Sequence, residues 1–158
     1  MDEMKMANPS GHLHMTDVGS KPVTRREATA SGRIRMSAAA LRAIRTGKVG
    51  KGNVLVVARM AGIMAAKKTS ELIPLCHPIQ LDSVEVEIVP GQGAVSASAT
   101  VRATAKTGVE MEALTAVSAA LLTVYDMLKP VDRTMVIESV RLEAKSGGRS
   151  GKWLRKGK

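Results

Sequence analysis

Aromatic residues are almost absent from this 158-residue chain, which has no phenylalanine, one tyrosine (Tyr125) and one tryptophan (Trp153). Modules that bind single-stranded nucleic acid stack the bases on aromatic side chains, and this composition offers no such platform. The formal net charge of +10 nevertheless suggests an anionic partner. A phosphate-bearing small molecule fits that charge equally well, and charge alone does not distinguish it from an ordinary solvated basic surface.

Cysteine and long apolar runs are also scarce. Cys76 is the one cysteine, which excludes an intrachain disulfide and is compatible with a reducing cytoplasm. No run of about 18 apolar residues is present, so we expect no membrane span. The N-terminal residues are polar and lack the apolar core of a secretory signal. Cys76 and His77 have no second ligand pair at the usual spacing, so we predict no metal site.

The length is that of one domain with a real hydrophobic core. We expect a disordered leader over residues 1–15, a single domain over residues 16–151 and a basic tail over residues 152–158. No internal repeat is found.

The first half of the domain predicts one short strand and two helices. Thr16–Ala30 is polar and basic, with Gly and Pro, which indicates a loop or an edge segment. Gly32–Met36 alternates between polar and apolar residues, as a half-buried strand does. Ser37 and Asn53 are suitable N-caps for the two helices. The second helix, VLVVARMAGIMAAKKTSEL, is apolar almost all round, so we expect it to be mostly buried.

The second half predicts two paired strands, a long helix and a final strand. Ser83–Val89 and Ala94–Ala105 both alternate, and Pro90–Gly93 between them is typical of a hairpin turn. Val109–Leu128 is the long helix, and Met135–Ala144 alternates again. The order β-α-α-β-β-α-β contains the split βαβ pattern of a ferredoxin-like sandwich. We therefore predict an α+β fold in which an antiparallel sheet carries its helices on one face.

The stretch Lys67–Pro78, KKTSELIPLCHP, predicts a rigid segment that presents Leu75, Cys76 and His77. Proline fixes its own φ and pushes the preceding residue toward extended conformations. Rigid irregular segments with a histidine often form site walls, and the alternative is a half-buried structural histidine. A nucleophilic role for Cys76 has weak support, because no base is recognisable.

The long helix carries carboxylates at both ends. Glu110 and Glu112 lie in its first turn, where they suit the helix dipole. Residues two apart point about 200° apart around a helix, so we expect one of them to face the sheet or a partner. Asp126 lies near the opposite end, and its simplest explanation is an ion pair with Lys129.

The spacing of Glu112 and Asp126 has a geometric consequence. They are 14 residues apart, which places them on nearly the same helix face but about 21 Å apart along it. One small-molecule site cannot easily use both from a single chain. Our hypothesis is a site assembled from two subunits, in which antiparallel helices bring opposite ends together.

Six lysines border predicted loops or helix ends: Lys21, Lys51, Lys67, Lys106, Lys129 and Lys145. As solvated surface charges they need no special role. Collected around one cavity, they would bind a polyphosphate and could exchange protons once neighbouring cations lower their pKa values.

Three stretches resemble a known family: KGNVLVVARMAGIMAAKKTSELIPLCHP, AKTGVEMEALTAVSAALLTVYDMLK and MVIESVRLEAKSGG. They closely resemble the MoaC family, the cyclic pyranopterin monophosphate synthases of molybdenum cofactor biosynthesis. The resemblance runs from about Asp17 to Gly151. It implies a cytoplasmic lyase that converts (8S)-3',8-cyclo-7,8-dihydroguanosine 5'-triphosphate to cyclic pyranopterin monophosphate and diphosphate.

The resemblance also implies roles for particular residues. Asp126 matches the family's active-site acid, and Lys51 and Lys129 match lysines that perform proton transfers. The matches to pocket and substrate-binding positions are Leu75, Cys76, His77, Glu110, Met111, Glu112 and Lys67. Arg149 stands where the family commonly has lysine, which keeps the charge but changes the donor geometry.

The family further implies a ferredoxin-like protein that forms a hexamer of three dimers, with sites between subunits. This agrees with the hypothesis drawn from the two ends of the long helix. The partners implied are the purine-derived triphosphate and other copies of the chain, without nucleic acid or membrane. No cofactor is required, although Mg²⁺ could accompany the triphosphate.

Two other classes of function are compatible with parts of the pattern. A basic RNA-binding module on a ferredoxin-like sheet would need exposed aromatics on the sheet face, which this sequence cannot supply. A scaffolding oligomer without activity is the second alternative, and the full set of lysines and acids argues against it.

Overall fold

The computed structural model of the protein describes residue 11 and residues 13–157. The predicted leader, residues 1–15, therefore lies mainly outside the described residues. The elements are, in chain order, β1 (Thr24–Arg35), α1 (Ala38–Thr46), α2 (Val54–Lys67), α3 (Thr69–Leu72), β2 (Ser83–Pro90), β3 (Ala94–Ala105), α4 (Glu110–Leu128), β4 (Val136–Ser146) and β5 (Trp153–Leu154).

The strands form one antiparallel sheet in the order β2-β3-β1-β4-β5. β1 lies at its centre and pairs with β3 along its whole length, from Thr24 opposite Ala105 to Arg35 opposite Ala94. α4 packs on β1, β3 and β4, while α2 lies beside α4 and against β2. The predicted α+β fold, with helices against an antiparallel sheet, is confirmed and is consistent with a ferredoxin-like arrangement.

The prediction for the first strand was wrong in extent. Thr24–Ala30, expected as part of a loop or an edge segment, belongs to the central strand. The side of β1 that faces the helices carries Ala28, Ala30 and Gly32, which are too weakly apolar to give a clear alternation. They are small because α4 comes close, and a Cβ on Gly32 would lie 3.0 Å from side-chain atoms of Leu121 and Val117.

α4 is the central core helix. Most of its sheet-facing side chains are fully buried: Ala113, Ala116, Val117, Ala120, Leu121, Val124 and Leu128. It is also the one helix among the described residues long and apolar enough to cross a membrane by length and composition. In this fold its apolar surface packs on the sheet. The predicted boundaries, Val109–Leu128, differ from the observed ones by one residue.

The small-residue face predicted for α2 lets it approach α4 closely. A Cβ on Gly62 would lie 3.0 Å from the carbonyl oxygen of Ala116. The prediction that α2 is mostly buried was wrong, since Val56, Met60 and Met64 on its other side are 53%, 56% and 52% exposed. None of the residues that the structure describes covers that side.

The predicted helix starts are confirmed. The Ser37 side chain accepts a hydrogen bond from the Ala40 amide, and Asn53 accepts from the amides of Leu55 and Val56. α1 ends at Gly47, whose φ of 66° is a left-handed conformation that glycine adopts without strain.

Part of the predicted basic tail joins the sheet. Trp153 and Leu154 form the short edge strand β5, opposite Lys145 and Ala144 of β4. The Arg155 side chain donates to the Leu142 carbonyl, which fixes the segment further. A two-residue strand gives no periodic signal, so the pattern could not predict it.

Candidate active site

Lys51, Asp126 and Lys129 form a cluster at the C-terminal end of α4. The Asp126 Oδ2 atom lies 2.7 Å from the Lys51 Nζ atom, and Oδ1 lies 2.8 Å from Lys129 Nζ. Lys129 belongs to the helix end itself, whereas Lys51 comes from the glycine-rich turn before α2. The structure thus brings together the three residues predicted to be catalytic, and their catalytic roles stay predictions.

The two lysines keep Asp126 ionised. Hydrogen bonds from Lys129 and then Lys51 lower the pKa of Asp126 to about 2, despite the partial burial that opposes them. About half of each of the three side chains is exposed. The cluster therefore presents two ammonium groups, fixed by one carboxylate, to whatever approaches this end of the helix.

A cavity of about 500 Å³ lies near the N-terminal end of α4, and we call it the His77 cavity. Its lining includes Leu75, Cys76, His77, Glu110 and Met111. The predicted rigid segment forms one wall, since a turn closed by the Cys76 amide and the Ile73 carbonyl follows α3. Five of the predicted substrate-binding residues thus share one cavity, and the proline-flanked segment is a wall as expected.

Glu112 lies behind that wall. It is 3% exposed, which confirms the expectation that one of the two first-turn glutamates faces the interior. Its Oε1 atom lies 3.7 Å from the Cys76 sulfur, and its buried Oε2 atom has no hydrogen-bond partner among the described residues. Burial raises the pKa of Glu112, and burial together with the Glu112 charge raises the pKa of Cys76 to about 11.

A second cavity of about 690 Å³, the basic cavity, lies next to the first. Its cationic lining residues are Lys21, Arg26, Lys106, Lys145 and Arg149. Lys21, Thr107, Gly108 and Glu110 line both cavities. Among the described residues, no carboxylate forms an ion pair with any of the five cations, so their charge is available to an anion.

Backbone contacts hold two of these cations in place. The Arg26 guanidinium donates to the Lys106 carbonyl at 3.1 Å, and the Lys106 ammonium donates to the Gly19 carbonyl at 2.7 Å. Gly148 leaves room for Arg26, because a Cβ there would collide with the guanidinium. The basic cavity is therefore partly preorganised.

The predicted lysines divide into three groups. Lys21, Lys106 and Lys145 line the basic cavity, and Lys51 and Lys129 flank Asp126. Lys67 is exposed at the end of α2 and lines neither cavity of this single chain.

Sequence reasoning missed Arg26 as a site residue. It lies in the part of β1 that was expected to be a loop or an edge segment. The signal that could have found it is strand pairing, since Arg26 stands opposite Ala103 of β3 and its side chain reaches the Lys106 carbonyl just beyond that strand.

The described residues hold no group of three or more His, Cys, Asp or Glu side chains placed to bind a metal ion. The donors of the two cavities are mainly ammonium, guanidinium and imidazole groups, which suit an anion rather than a divalent cation.

Fold and site together define an α+β protein with two adjoining cavities, one of them lined by five cations, and a lysine–aspartate cluster apart from them. The chain belongs to the MoaC family: the model of that family matches residues 15–148.

Relatives from three organisms are similar to this chain along nearly their whole length. A protein of Chloroflexus aurantiacus is 55% identical over 156 residues, covering 98% of this chain and 96% of the relative. One from Novosphingobium aromaticivorans is 54% identical, with 97% and 98% covered, and one from Desulfitobacterium hafniense is 50% identical, with 97% and 94% covered. All three are named cyclic pyranopterin monophosphate synthase.

Proposed function

We propose that this chain is a cyclic pyranopterin monophosphate synthase. It converts (8S)-3',8-cyclo-7,8-dihydroguanosine 5'-triphosphate to cyclic pyranopterin monophosphate and diphosphate in molybdenum cofactor biosynthesis. The observation that carries the proposal is the basic cavity beside the His77 cavity, in a chain at least 50% identical to relatives with that name. The enzyme is a phosphorus–oxygen lyase that acts in the cytoplasm.

The two cavities suit the two parts of this substrate. The five cations of the basic cavity match a triphosphate, and they would stabilise the charge that grows on the departing diphosphate. The His77 cavity offers an imidazole, the Glu110 carboxylate and apolar side chains to a purine-derived ring. Because Lys21 and Glu110 line both cavities, one ligand can occupy them together.

The Lys51–Asp126–Lys129 cluster is suited to the proton transfers that the ring rearrangement requires. General acid–base groups contribute about 10²–10⁴-fold to such steps. Asp126 holds both ammonium groups at hydrogen-bond distance, so it fixes the proton donors in space. Its low pKa keeps it from competing for their protons near neutral pH.

A second copy of the chain completes the site in this proposal. The cluster and the His77 cavity lie at opposite ends of α4, and Glu112 and Asp126 are about 21 Å apart along it. Antiparallel packing of two helix layers would place the Asp126 end of one chain beside the His77 cavity of another. We propose a homohexamer of three dimers, following the family resemblance.

The exposed apolar side of α2 supports this assembly. Val56, Met60 and Met64 recur every four residues, so they form one stripe along the helix, and each is more than half exposed. Leu122 of the neighbouring α4 is 60% exposed. Contiguous apolar surface of this kind marks an interaction site.

No cofactor is required, although Mg²⁺ can accompany the triphosphate as a counter-ion. Nucleic acid and membranes are not partners in this proposal, because the anion site is a pair of cavities that suits a small ligand.

The test is to incubate the purified protein with the cyclised guanosine triphosphate intermediate. Cyclic pyranopterin monophosphate and diphosphate should appear in equal amounts, measured by chromatography with mass detection. Substrate returned unchanged by a folded, oligomeric protein would instead favour the scaffolding alternative. Salt-sensitive RNA binding without turnover would favour the RNA-binding module.

A further inference from the structure

The loop that joins β4 to β5 forms part of the wall of the basic cavity. It spans residues 147–152, and its cavity-lining residues are Gly148, Arg149 and Ser150. All of its glycines have positive φ values, from 61° to 97°. A glycine-rich loop has many alternative conformations, so its shape depends on how firmly its two ends are held.

The central strand holds the first end of this loop. Ser146, the last residue of β4, pairs with Glu27 of β1. A Cβ on Gly147 would collide with the carbonyl oxygen of Arg25, so the chain leaves the sheet in close contact with β1. The first end is therefore fixed by the same strand that carries the Arg26 side chain into the cavity.

Residues 153–155 hold the second end, and we call them the C-terminal strap. Their first two residues are β5, which pairs with the C-terminal part of β4. The Arg155 amide donates to the Glu143 carbonyl at 2.8 Å, and its guanidinium donates to the Leu142 carbonyl at 2.7 Å. The Leu154 side chain is 64% exposed, so hydrogen bonds rather than burial hold the strap.

The Arg155 side chain fastens the strap further. Its guanidinium lies 5.6 Å from the centre of the Trp153 ring and its Nε atom 3.8 Å from the Glu143 carboxylate. That carboxylate in turn accepts hydrogen bonds from the Ser31 hydroxyl of β1 and from Arg141. The strap is thus connected through Glu143 to the centre of the sheet.

We propose that the C-terminal strap holds the 147–152 loop in the shape that receives an anion in the basic cavity, with Arg155 as a positioning residue. The strap itself lines neither cavity, so it acts only through the loop. A loop held at one end would have to be ordered when the anion binds, and that ordering reduces the affinity. Only the identity of the anion, a purine-derived triphosphate, rests on the proposed function.

A purely structural role of the strap predicts a different result. A short strand on β4 also protects that strand from pairing with another chain. Loss of such protection would lower the stability or the solubility of the protein and leave its affinity for an anion unchanged. The affinity of the cavity therefore separates the two roles.

The first experiment measures the binding of inorganic triphosphate by isothermal titration calorimetry. A chain that ends at Lys152 should bind it about tenfold more weakly than the full chain, because ordering one loop residue on binding costs about that factor. A chain that ends at Arg155 is the matched control, since it loses residues 156–158 but keeps the strap, and it should bind as the full chain does. Equal losses in the two truncated chains would assign the effect to tail charge and overturn the proposal.

Point variants repeat the test with the chain length unchanged. Arg155→Ala and Lys156→Ala each remove one positive charge from the tail, but Arg155 is the one that donates to β4. Arg155→Ala should weaken triphosphate binding several-fold and speed hydrogen exchange in peptides that cover the 147–152 loop, whereas Lys156→Ala should do neither. A lower melting temperature of Arg155→Ala with wild-type affinity would leave only the structural role.

Turnover of the cyclised intermediate completes the test. Arg155→Ala should raise KM several-fold with a smaller change in kcat, because the variant leaves the lysine–aspartate cluster intact. If the full chain binds triphosphate more tightly than the chain that ends at Lys152 but shows no turnover, the strap stands and the proposed function fails. If the full chain turns over and the variants match its affinity and KM, the strap proposal alone is wrong. A full chain that binds no triphosphate would also overturn it.

Discussion

The two ends of α4 hold their carboxylates in opposite ways. At the N-terminal end, Glu112 is buried beside a thiol, and burial raises its pKa. At the C-terminal end, Asp126 is about half exposed between two ammonium groups, which lower its pKa to about 2. One helix thus carries one carboxyl whose pKa is raised and one whose pKa is lowered.

The difference follows from what surrounds each end. The N-terminal turn packs under the proline-stiffened wall, where Glu112 is 3% exposed and forms no ion pair with any cation of the described residues. The C-terminal turn meets the glycine-rich loop that carries Lys51, and this loop is open to solvent. In the proposed function, the buried end recognises the ring and the charged end transfers protons.

The largest expected effect is on activity at the charged end. Asp126→Ala and Lys51→Ala should each lower product formation about 10²–10⁴-fold, because each removes a group from the cluster proposed to transfer protons. Thermal unfolding should be nearly unchanged, since exposed ion pairs contribute little to stability. The measurements are turnover of the cyclised intermediate and a melting curve. Wild-type turnover in either variant would remove that residue from the mechanism.

Disrupting the exposed apolar stripe of α2 should separate the Asp126 end of one chain from the His77 cavity of another. Met60→Glu places a charge at the centre of an apolar surface, so the oligomer should dissociate. Light scattering should then show a smaller particle mass, and most activity should be lost. Leu154→Glu is the matched control, because Leu154 is 64% exposed but lies on β5. An unchanged oligomer in Met60→Glu would mean that the stripe is not an interface.

Asp132 is a second carboxylate with a lowered pKa, and we expect it to affect the free energy of unfolding rather than activity. Its pKa is also lowered to about 2, but by the amides of Ser37 and Thr134 and the Thr134 hydroxyl rather than by lysines. Asp132→Ala leaves three partly buried hydrogen bonds without their acceptor and should lower the free energy of unfolding by about 1–2 kcal/mol. The wild-type contribution is present above the ordinary pKa of 3.8 and is lost as the pH falls toward 2. Urea titrations at pH 7 and pH 3 measure both effects.

Glu112 should give the opposite pH dependence and the smallest effect. Because its folded pKa is raised above 4.5, the folded state binds the proton more tightly, and its contribution to stability declines as the pH rises through that raised value. Glu112→Gln does not titrate, so its stability should fall less than that of the wild type between pH 5 and pH 8. Parallel curves for the two proteins would show that Glu112 is not perturbed.

Elements with strong periodicity were predictable from the sequence. The bounds of β3 were predicted to the residue, and the caps at Ser37 and Asn53 were correct. The full extent of β1 was not predicted. Its helix-facing residues Ala28, Ala30 and Gly32 are small because α4 packs closely there, so they give no clear hydrophobic alternation. The exposed side of α2 could not be predicted either, since its apolar residues have the same composition as those of a buried helix side.

The candidate site was predictable where its contacts are local. The Asp126–Lys129 pair follows from a spacing of three residues. The Lys51–Asp126 contact and the Cys76–Glu112 contact join residues 75 and 36 positions apart, and residue spacing says nothing about either. The family resemblance supplied Lys51, and the structure added Arg26 and the Glu112 Oε2 atom, which has no hydrogen-bond partner among the described residues.

In the proposed assembly, the two ends of α4 serve one site when they come from different chains. The most direct test mixes two inactive variants, Asp126→Ala and His77→Ala, by joint refolding or co-expression. If each site takes Asp126 from one chain and His77 from another, about a quarter of the sites are intact in a random mixture, and activity returns to that level. If each chain holds a complete site of its own, every site carries one defect, and the mixture stays as inactive as its parts.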